Sequence, residues 1–460
     1  MTNCSQISFS YGHTWLSYYA TNLFIVKRTR VVADTVLTCD ENFSVFSPGV
    51  VDFDDDCITW VGSLEEKPAE PEREIKNIGG LVMPGLVNAH AHTPMTLVRG
   101  AGDGLPLWRW LTEAMWPREG RMNPDDVLWG MTLGSAEMLL SGVTTSCEMY
   151  LHEDSIVEAV KNTGGRLVMT PGVVSALHPD DSGAGRTQDI IDFHAAHNGA
   201  EGRITVGVGP HSAYDLGVER ALELSELAQE LDSLLHIHLS ETSQENQDLE
   251  SKYGQSVVKT LAEHGVFNGR VLAAHCVWVD EDDISVLAEH QVAVAHCPLS
   301  NMKLGSGIAP VVSMREAGVL VSLGTDGPAS NDTLDLWEEV KFGPLLAKVS
   351  AHDASLLGPR EILSMATRLG AEAVGLSNVG SLEPGYKADL LRIETNHPAF
   401  VPVTELDELL AHVAWSGSSK NITDVWVNGN QVVADGSLQS FDLDEAVAEV
   451  QKRAQGLVDS

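Results

Sequence analysis

Histidines and carboxylates recur in this chain at the ends of short apolar runs. Eight such residues stand out: His90, His92, His211, His238, His275, His296, Glu241 and Asp326. His90 and His92 are two residues apart, and side chains at that spacing in a strand point to the same face. Two such imidazoles can bind one Zn²⁺ or Fe²⁺. His238 and Asp326 would complete a set of nitrogen and oxygen ligands with room for a water, which is typical of catalytic metal sites.

Hydrolysis is the chemistry that these residue types support. A metal ion in such a site lowers the pKa of a bound water to about 7. We expect Asp326 to accept a proton from that water and His275 to orient it. Glu241, three residues after His238, is placed to carry a proton to the substrate and then to the leaving group. Two structural alternatives stay open, since Glu241 can cap the following helix and His275 can be a core histidine. His296 suggests no chemical role, and we expect it to be structural.

The elements that must position these residues alternate between apolar runs and amphipathic helical stretches. The runs are LVMPGLVNAH, GVTTSCEM, RLVMTPGV, ITVGVGPH, LLHIHLSE, VLAAHC, VAVAHCP and VLVSLGTDG. Eight strand-then-helix units over about 300 residues predict an α/β fold of the (β/α)₈ TIM-barrel type, in which active sites lie at the carboxyl ends of the strands. A doubly wound open sheet is the competing architecture.

The two flanks of this central region are rich in β-strand patterns. Short alternating runs fill residues 31–81, and a similar texture returns near the end, where Asn428-Gly429 between two β-branched runs predicts a hairpin. We therefore expect a small composite β-sandwich built from the N- and C-terminal segments. The predicted boundaries are an N-terminal extension at 1–28, a first β-sandwich segment at 29–82, the metal-dependent barrel at 83–383, a second β-sandwich segment at 384–440, and a C-terminal helix or tail at 441–460.

Composition excludes several classes of partner. Lys and Arg number 29 against 65 Asp and Glu, a net charge of −36, which disfavours nucleic acids and anionic membrane surfaces. The apolar stretch Trp15–Val26 is shorter than the roughly 20 residues that a membrane-spanning helix needs. Six scattered cysteines without a C-x-x-C pair indicate a reducing compartment, and hence the cytoplasm. A homo-oligomer is compatible with all of this.

The sequence resembles the amidohydrolase superfamily, and within it the branch of methylthioadenosine/S-adenosylhomocysteine deaminases and triazine hydrolases. The motifs that carry the resemblance are MPGLVNAHAH (83–92), GPHSAYD (209–215), HIHLSET (236–242), AAHC (273–276), SNMKLGSGIAPV (300–311) and LGTDGPASN (323–331). The resemblance implies a metal-dependent barrel with a composite β-sandwich. Members with two metals bridge them by a modified Lys at the end of strand four. That strand ends here in VGVGPHS without a Lys, so one divalent metal is implied, with Zn²⁺ favoured over Fe²⁺.

The resemblance also implies substrate contacts. Glu119, in the segment WPRE, matches a Glu that holds ribose hydroxyls, and His211 matches a substrate-contacting His. Arg186 matches an Arg that binds the carboxylate of a homocysteine group, while Val174 falls near the place of a second such Arg. Structural alternatives are a solvated loop charge for Arg186 and local pairing of Glu119 with a neighbouring arginine.

Three functions follow, in order of preference. The first is hydrolytic deamination of an adenosine-type nucleoside of the methylthioadenosine/S-adenosylhomocysteine kind. The alternative is an s-triazine hydrolase that removes amino or chloro substituents. Both act on a small N-heterocyclic substrate. A non-catalytic scaffold on the same fold is disfavoured, because His90, His92, His238 and Asp326 are all retained.

Overall fold

The structure is a computed structural model that describes residues 26–69, 73–177 and 184–458. Most of the predicted N-terminal extension and of the apolar stretch after Trp15, and some of the loop before Arg186, lie outside the described residues. Among the residues that are described, no helix is long and apolar enough to cross a membrane.

Twenty strands and seventeen α-helices make up the described chain. The strands are β1 (Arg28–Ala33), β2 (Thr35–Leu37), β3 (Val45–Phe46), β4 (Gly49–Asp54), β5 (Cys57–Ser63), β6 (Glu74–Asn77), β7 (Leu81–Pro84), β8 (Leu86–Ala91), β9 (Val143–Tyr150), β10 (Arg166–Val173), β11 (Ile204–Val206), β12 (Gly209–Pro210), β13 (Leu234–Leu239), β14 (Arg270–His275), β15 (Ala293–His296), β16 (Val321–Leu323), β17 (Leu390–Ile393), β18 (Ile422–Val427), β19 (Asn430–Ala434) and β20 (Ser437–Leu438). The helices are α1 (Leu107–Arg109), α2 (Trp116–Glu119), α3 (Pro124–Leu140), α4 (Glu153–Thr163), α5 (Ala184–His197), α6 (Ala213–Leu216), α7 (Val218–Glu230), α8 (Ser243–Tyr253), α9 (Val257–Glu263), α10 (Glu281–Glu289), α11 (Pro298–Lys303), α12 (Val311–Glu316), α13 (Leu336–Ala351), α14 (Pro359–Met365), α15 (Arg368–Ala373), α16 (Leu406–Trp415) and α17 (Leu443–Val458). A π-helical turn, Trp110–Met115, joins α1 to α2.

Each of the eight predicted runs contains a parallel strand. Four of them form the order β11-β10-β9-β8 and four the order β13-β14-β15-β16. Backbone bridges from Val208 to Leu235 and from Ala91 to Asp326 connect the two sets. β9 and β10 are buried along their whole length, as expected for parallel strands covered by helices. The predicted α/β class is confirmed.

The first run holds two strands rather than the single strand predicted. β7 pairs with β17, whereas β8 pairs with β9. The break falls at Gly85, where a Cβ atom would lie 2.2 Å from the side chain of Thr144. Only glycine lets the chain pass so close to the neighbouring strand, and an apolar run cannot by itself reveal where one strand changes sheet.

Strands from both ends of the chain share one sheet. Its order is β20-β19-β18-β17-β7-β2-β3, and a second sheet has the order β5-β4-β1-β6. A buried cluster that includes Phe53, Val82 and Trp426 draws residues from both sheets. The predicted hairpin joins β18 to β19, with Asn428 and Gly429 both at positive φ, the backbone that a two-residue type I′ turn requires.

Candidate active site

Four side chains meet at the carboxyl ends of the parallel strands. One ligand atom from each of His90, His238, His275 and Asp326 lies within 4.8 Å of the others. The Nε2 atom of His92 lies 3.2 Å from Nε2 of His238 and 3.3 Å from Oδ1 of Asp326. The structure therefore brings the four predicted ligands together and adds His275, which the sequence assigned to the hydrolytic step.

The imidazole rings of the three predicted histidine ligands are oriented by contacts at Nδ1. Their Nδ1 partners are His236 Nε2 for His90 at 2.8 Å, Met149 O for His92 at 2.6 Å, and His211 O for His238 at 2.8 Å. A carbonyl oxygen only accepts, so His92 and His238 donate from Nδ1. Nε2 of His90 is buried without a hydrogen-bond partner in the described residues. This arrangement, with Nδ1 bonded and Nε2 turned inward, is the one that metal-binding histidines adopt.

Asp326 supplies the negative charge of the cluster. Its Oδ2 accepts hydrogen bonds from the hydroxyls of Ser300 at 2.5 Å and Ser330 at 2.9 Å. Burial raises its pKa, but the adjacent imidazoles of His90 and His92 outweigh this effect and hold the pKa well below its usual range. For His92, burial lowers the pKa, and the Asp326 carboxylate outweighs it and raises the pKa to about 9. The site therefore stabilises positive charge beside Asp326, which fits a cation.

Two further histidines of the cluster are neutral. Burial lowers the pKa of His90 to about 3 and that of His238 well below its usual value. Neutral imidazole is the form that binds metals. The donors present, with buried Nε2 atoms and one ionised carboxylate, thus fit a divalent metal ion with mixed nitrogen and oxygen ligands.

Glu241 follows β13 and does not cap the next helix. Thr242 does so, because its hydroxyl accepts the N–H of Glu245 at 3.3 Å. The Glu245 carboxylate in turn accepts the N–H groups of Ser240 at 3.1 Å and Glu241 at 2.8 Å. The Glu241 carboxylate is buried 3.8 Å from Nε2 of His275. Burial raises its pKa, which favours the protonated form that a proton donor needs.

His275 is oriented by one side chain. Its Nδ1 donates to Oδ1 of Asn301 at 2.9 Å, so Nε2 faces the cluster and Glu241. His275 is therefore not a core histidine whose nitrogens are both satisfied. His296 is also buried, and burial lowers its pKa to about 3, but it is not one of the four clustered residues.

A cavity of about 60 Å³ opens above the cluster. Its lining includes Glu241 and Asp326, and also Glu119 and His211 as the sequence predicted. Much of the wall is apolar, with Trp110, Trp116, Met149, Leu151 and Leu177 among the lining residues. Flat apolar walls with a few converging polar groups suit a small heterocyclic ligand.

Glu119 ends α2 with its carboxylate buried. Burial raises its pKa, and a hydrogen bond from the Tyr150 hydroxyl partly offsets that rise. The neighbouring arginines bind main-chain carbonyls instead, Arg118 that of Ala114 at 2.6 Å and Arg121 that of Leu457 at 3.1 Å. The alternative of local pairing with these arginines is therefore not what the structure contains.

The two remaining predicted substrate contacts, His211 and Arg186, line different cavities. His211 lies against the cavity with Nδ1 3.1 Å from the Ser212 hydroxyl, and burial lowers its pKa to about 4. Arg186 lies in α5 and lines an adjoining cavity of about 750 Å³ instead. There it pairs with Glu153 at 3.0 Å, so it is not a solvated loop charge. The two cavities share Glu119, since this residue lines both.

Some residues around the site were missed at the sequence level. His236 contacts His90, and the buried Glu148 carboxylate accepts the N–H of Thr93 at 2.9 Å and its hydroxyl at 2.6 Å. The spacing of His236 from His238 is the same i, i+2 pattern that singled out His90 and His92, so it could have been found. The sequence carries no comparable signal for Glu148.

Comparisons with known proteins agree with this geometry. Residues 81–432 match the model of the amidohydrolase family. A 5-methylthioadenosine/S-adenosylhomocysteine deaminase of Pelotomaculum thermopropionicum is 40% identical over 428 residues, covering 92% of this chain and 97% of that protein. The protein of the same name from Carboxydothermus hydrogenoformans is 40% identical and covers 86% and 90%.

Solved structures give the same fold. An adenosine deaminase from Xanthomonas campestris with bound zinc has a TM-score of 0.87 at 30% identity, covering 93% of this chain and 98% of that one. An atrazine chlorohydrolase from Arthrobacter aurescens complexed with zinc has a TM-score of 0.83 at 25% identity, covering 92% and 100%.

Proposed function

Because the chain belongs to the amidohydrolase family, we propose that it is a zinc-dependent hydrolase that deaminates an adenine nucleoside of the 5-methylthioadenosine/S-adenosylhomocysteine class. The observation that carries this proposal is the buried carboxylate of Glu119, which lines the same cavity as Glu241 and Asp326. A carboxylate in this position can accept two ribose hydroxyls while the base lies against the metal cluster.

One zinc ion would be held by His90, His92, His238 and Asp326, with His275 beside them. Bound there, it supplies Lewis acidity and lowers the pKa of water. Support for a single metal comes from the donor set at the ends of β8 and β13 and just after β16, and from the lack of a Lys in the segment VGVGPHS (206–212).

The proton transfers belong to side chains of this chain. Nε2 of His275, whose Nδ1 donates to Asn301, would accept a hydrogen bond from the attacking water and orient it. Oδ1 of Asp326 accepts the proton that the water loses. Glu241, whose pKa burial raises, is placed to give a proton to a ring nitrogen. It then carries the remaining hydroxyl proton of the attacking water to the exocyclic amine, which leaves as ammonia while the ring carbon keeps the oxygen as a carbonyl, and the proton on Asp326 restores Glu241.

Substrate contacts make a small nucleoside the better fit. Glu119 would accept the ribose hydroxyls, and neutral His211 would contact the base or sugar from the same cavity. Arg186 faces the adjoining cavity and is already paired with Glu153. Val174 stands where a second carboxylate-binding Arg would be needed, so we propose a 5′-thioether nucleoside in preference to a homocysteine-bearing one.

An s-triazine hydrolase is the second candidate. It is favoured by the similarity to atrazine chlorohydrolase, which is named for a substrate that is also a small aromatic N-heterocycle. A triazine has no ribose, so this candidate leaves the buried Glu119 carboxylate without a ligand.

We propose that residues 83–383 close into a (β/α)₈ barrel, and that 29–82 and 384–440 form a composite β-sandwich, supported by the sheet that joins β7 to β17. A cytoplasmic location is supported by five free cysteines within the described residues.

The test is an ammonia-release screen over methylthioadenosine, S-adenosylhomocysteine, adenosine, free bases, pterins and aminotriazines, with metal analysis of the purified protein. The proposal predicts methylthioadenosine as the best substrate and about one zinc per chain. Triazine turnover without nucleoside turnover would select the second candidate, and two metals that are both required for activity would refute the single-metal site.

A further inference from the structure

Behind the metal cluster, a buried chain of hydrogen bonds joins three strands. Its partners are His90 Nδ1 with His236 Nε2 at 2.8 Å, His236 Nδ1 with Thr170 Oγ1 at 3.1 Å, and Thr170 Oγ1 with Glu148 O at 2.7 Å. His236, Thr170 and His90 are all fully buried. This series of hydrogen bonds therefore runs from β8 through β13 and β10 to the backbone of β9, and it is closed to water.

The main-chain carbonyl of Glu148 determines which group donates in each of these hydrogen bonds. A carbonyl oxygen can only accept, so the single hydroxyl hydrogen of Thr170 is committed to Glu148 O. Thr170 Oγ1 can then only accept from His236, which requires the hydrogen of His236 to lie on Nδ1. A neutral imidazole with Nδ1 protonated carries its lone pair on Nε2. His90 must then donate from Nδ1, and its own lone pair is left on Nε2.

The opposite direction is disfavoured by the same contacts. If His236 carried its hydrogen on Nε2, His90 would carry one on its own Nε2, which faces the metal cluster 3.4 Å from Oδ1 of Asp326 and would then have no lone pair for a metal. His236 Nδ1 would need a donor. The Thr170 hydroxyl could supply one only by giving up its 2.7 Å bond to Glu148 O, which leaves the weak thiol donor of Cys147 at 3.6 Å.

We propose that Thr170 and His236 are positioning residues that fix the tautomer of His90 and so present its Nε2 lone pair to the metal. This inference rests on the metal site of the proposed function. Neither residue touches the cavity, and neither was identified by the reasoning on strand ends. Residues that orient metal ligands in this way contribute about 10–100-fold to metal affinity or activity.

The test compares metal affinities of three threonine variants by competition with a chromogenic zinc chelator at pH 7. Thr170→Val keeps the shape of the side chain and removes the hydroxyl, and Thr170→Ser restores the hydroxyl. The matched control is Thr145→Val on β9, because the Thr145 hydroxyl is buried and has no partner within the described ranges. Circular dichroism and the melting temperature of the metal-free protein check folding, and Thr170→Ala replaces Thr170→Val if that variant does not fold.

We expect Thr170→Val to raise the zinc dissociation constant by about tenfold or more, with Thr170→Ser and Thr145→Val within about threefold of the parent. Unchanged affinity in Thr170→Val would overturn the inference, and so would equal weakening in all three variants, which would indicate a packing effect. A parent protein that binds no zinc would instead overturn the proposed metal site itself.

Discussion

Replacement of Glu119 by alanine separates the two candidate substrates. If Glu119 binds ribose hydroxyls, each charge-assisted hydrogen bond contributes about 1.5–3 kcal/mol. Two bonds would be lost, but the ribose hydroxyls can exchange them for hydrogen bonds to water, which offsets some of the loss. A net loss of about 1.5–3 kcal/mol corresponds to about a 10- to 150-fold fall in kcat/KM for methylthioadenosine.

The assay measures deamination by the change in ultraviolet absorbance, with methylthioadenosine and 9-methyladenine as paired substrates. The second keeps the base and lacks the ribose, so its kcat/KM should change by less than about threefold. Glu113→Ala is the control, since Glu113 lies on the same helical segment, is exposed, and pairs with Arg109. Equal losses for both substrates, or no nucleoside activity in the parent, would refute the ribose contact and favour a triazine.

Three further outcomes are expected. Glu241→Gln should keep its zinc content and lose about 10²–10⁴-fold in kcat, since a general acid–base group contributes about this much; parental turnover in the zinc-loaded variant would place the proton transfer elsewhere. Burial lowers the pKa of His296 to about 3, so the folded protein binds fewer protons there than the unfolded chain, and its contribution to stability should be lost as the pH falls from about 6.5 towards 3. His296→Gln should therefore show a smaller fall in the urea midpoint than the parent between pH 6.5 and 5, by up to about 1.4 kcal/mol per pH unit in unfolding free energy; identical slopes would contradict this. With 65 acidic against 29 basic residues, self-repulsion should make the melting temperature rise as NaCl is raised from about 0.01 to 0.1 M, and a flat response would indicate local compensation.

Short-range patterns in the sequence determined the strands, the hairpin and the residue types at the strand ends. Each of the eight apolar runs contains a strand of the two parallel sheets, and the residue types at their carboxyl ends identified the side chains that meet over them. The hairpin at Asn428 was readable because a two-residue turn depends on only those residues. These features share one physical basis, namely that burial on both faces and turn geometry impose local rules on residue type.

Only the tertiary structure decided how the site is held. Arg186 lies in the adjoining cavity because α5 packs it against Glu153. No local sequence pattern predicts this ion pair. The bond between His90 and His236 joins residues 146 positions apart. Such contacts depend on the relative stagger of neighbouring strands and on which side chains fill the space between them. The sequence therefore determined which groups could carry out hydrolysis, and the packing of the strands decided which nitrogen of each ring faces the metal.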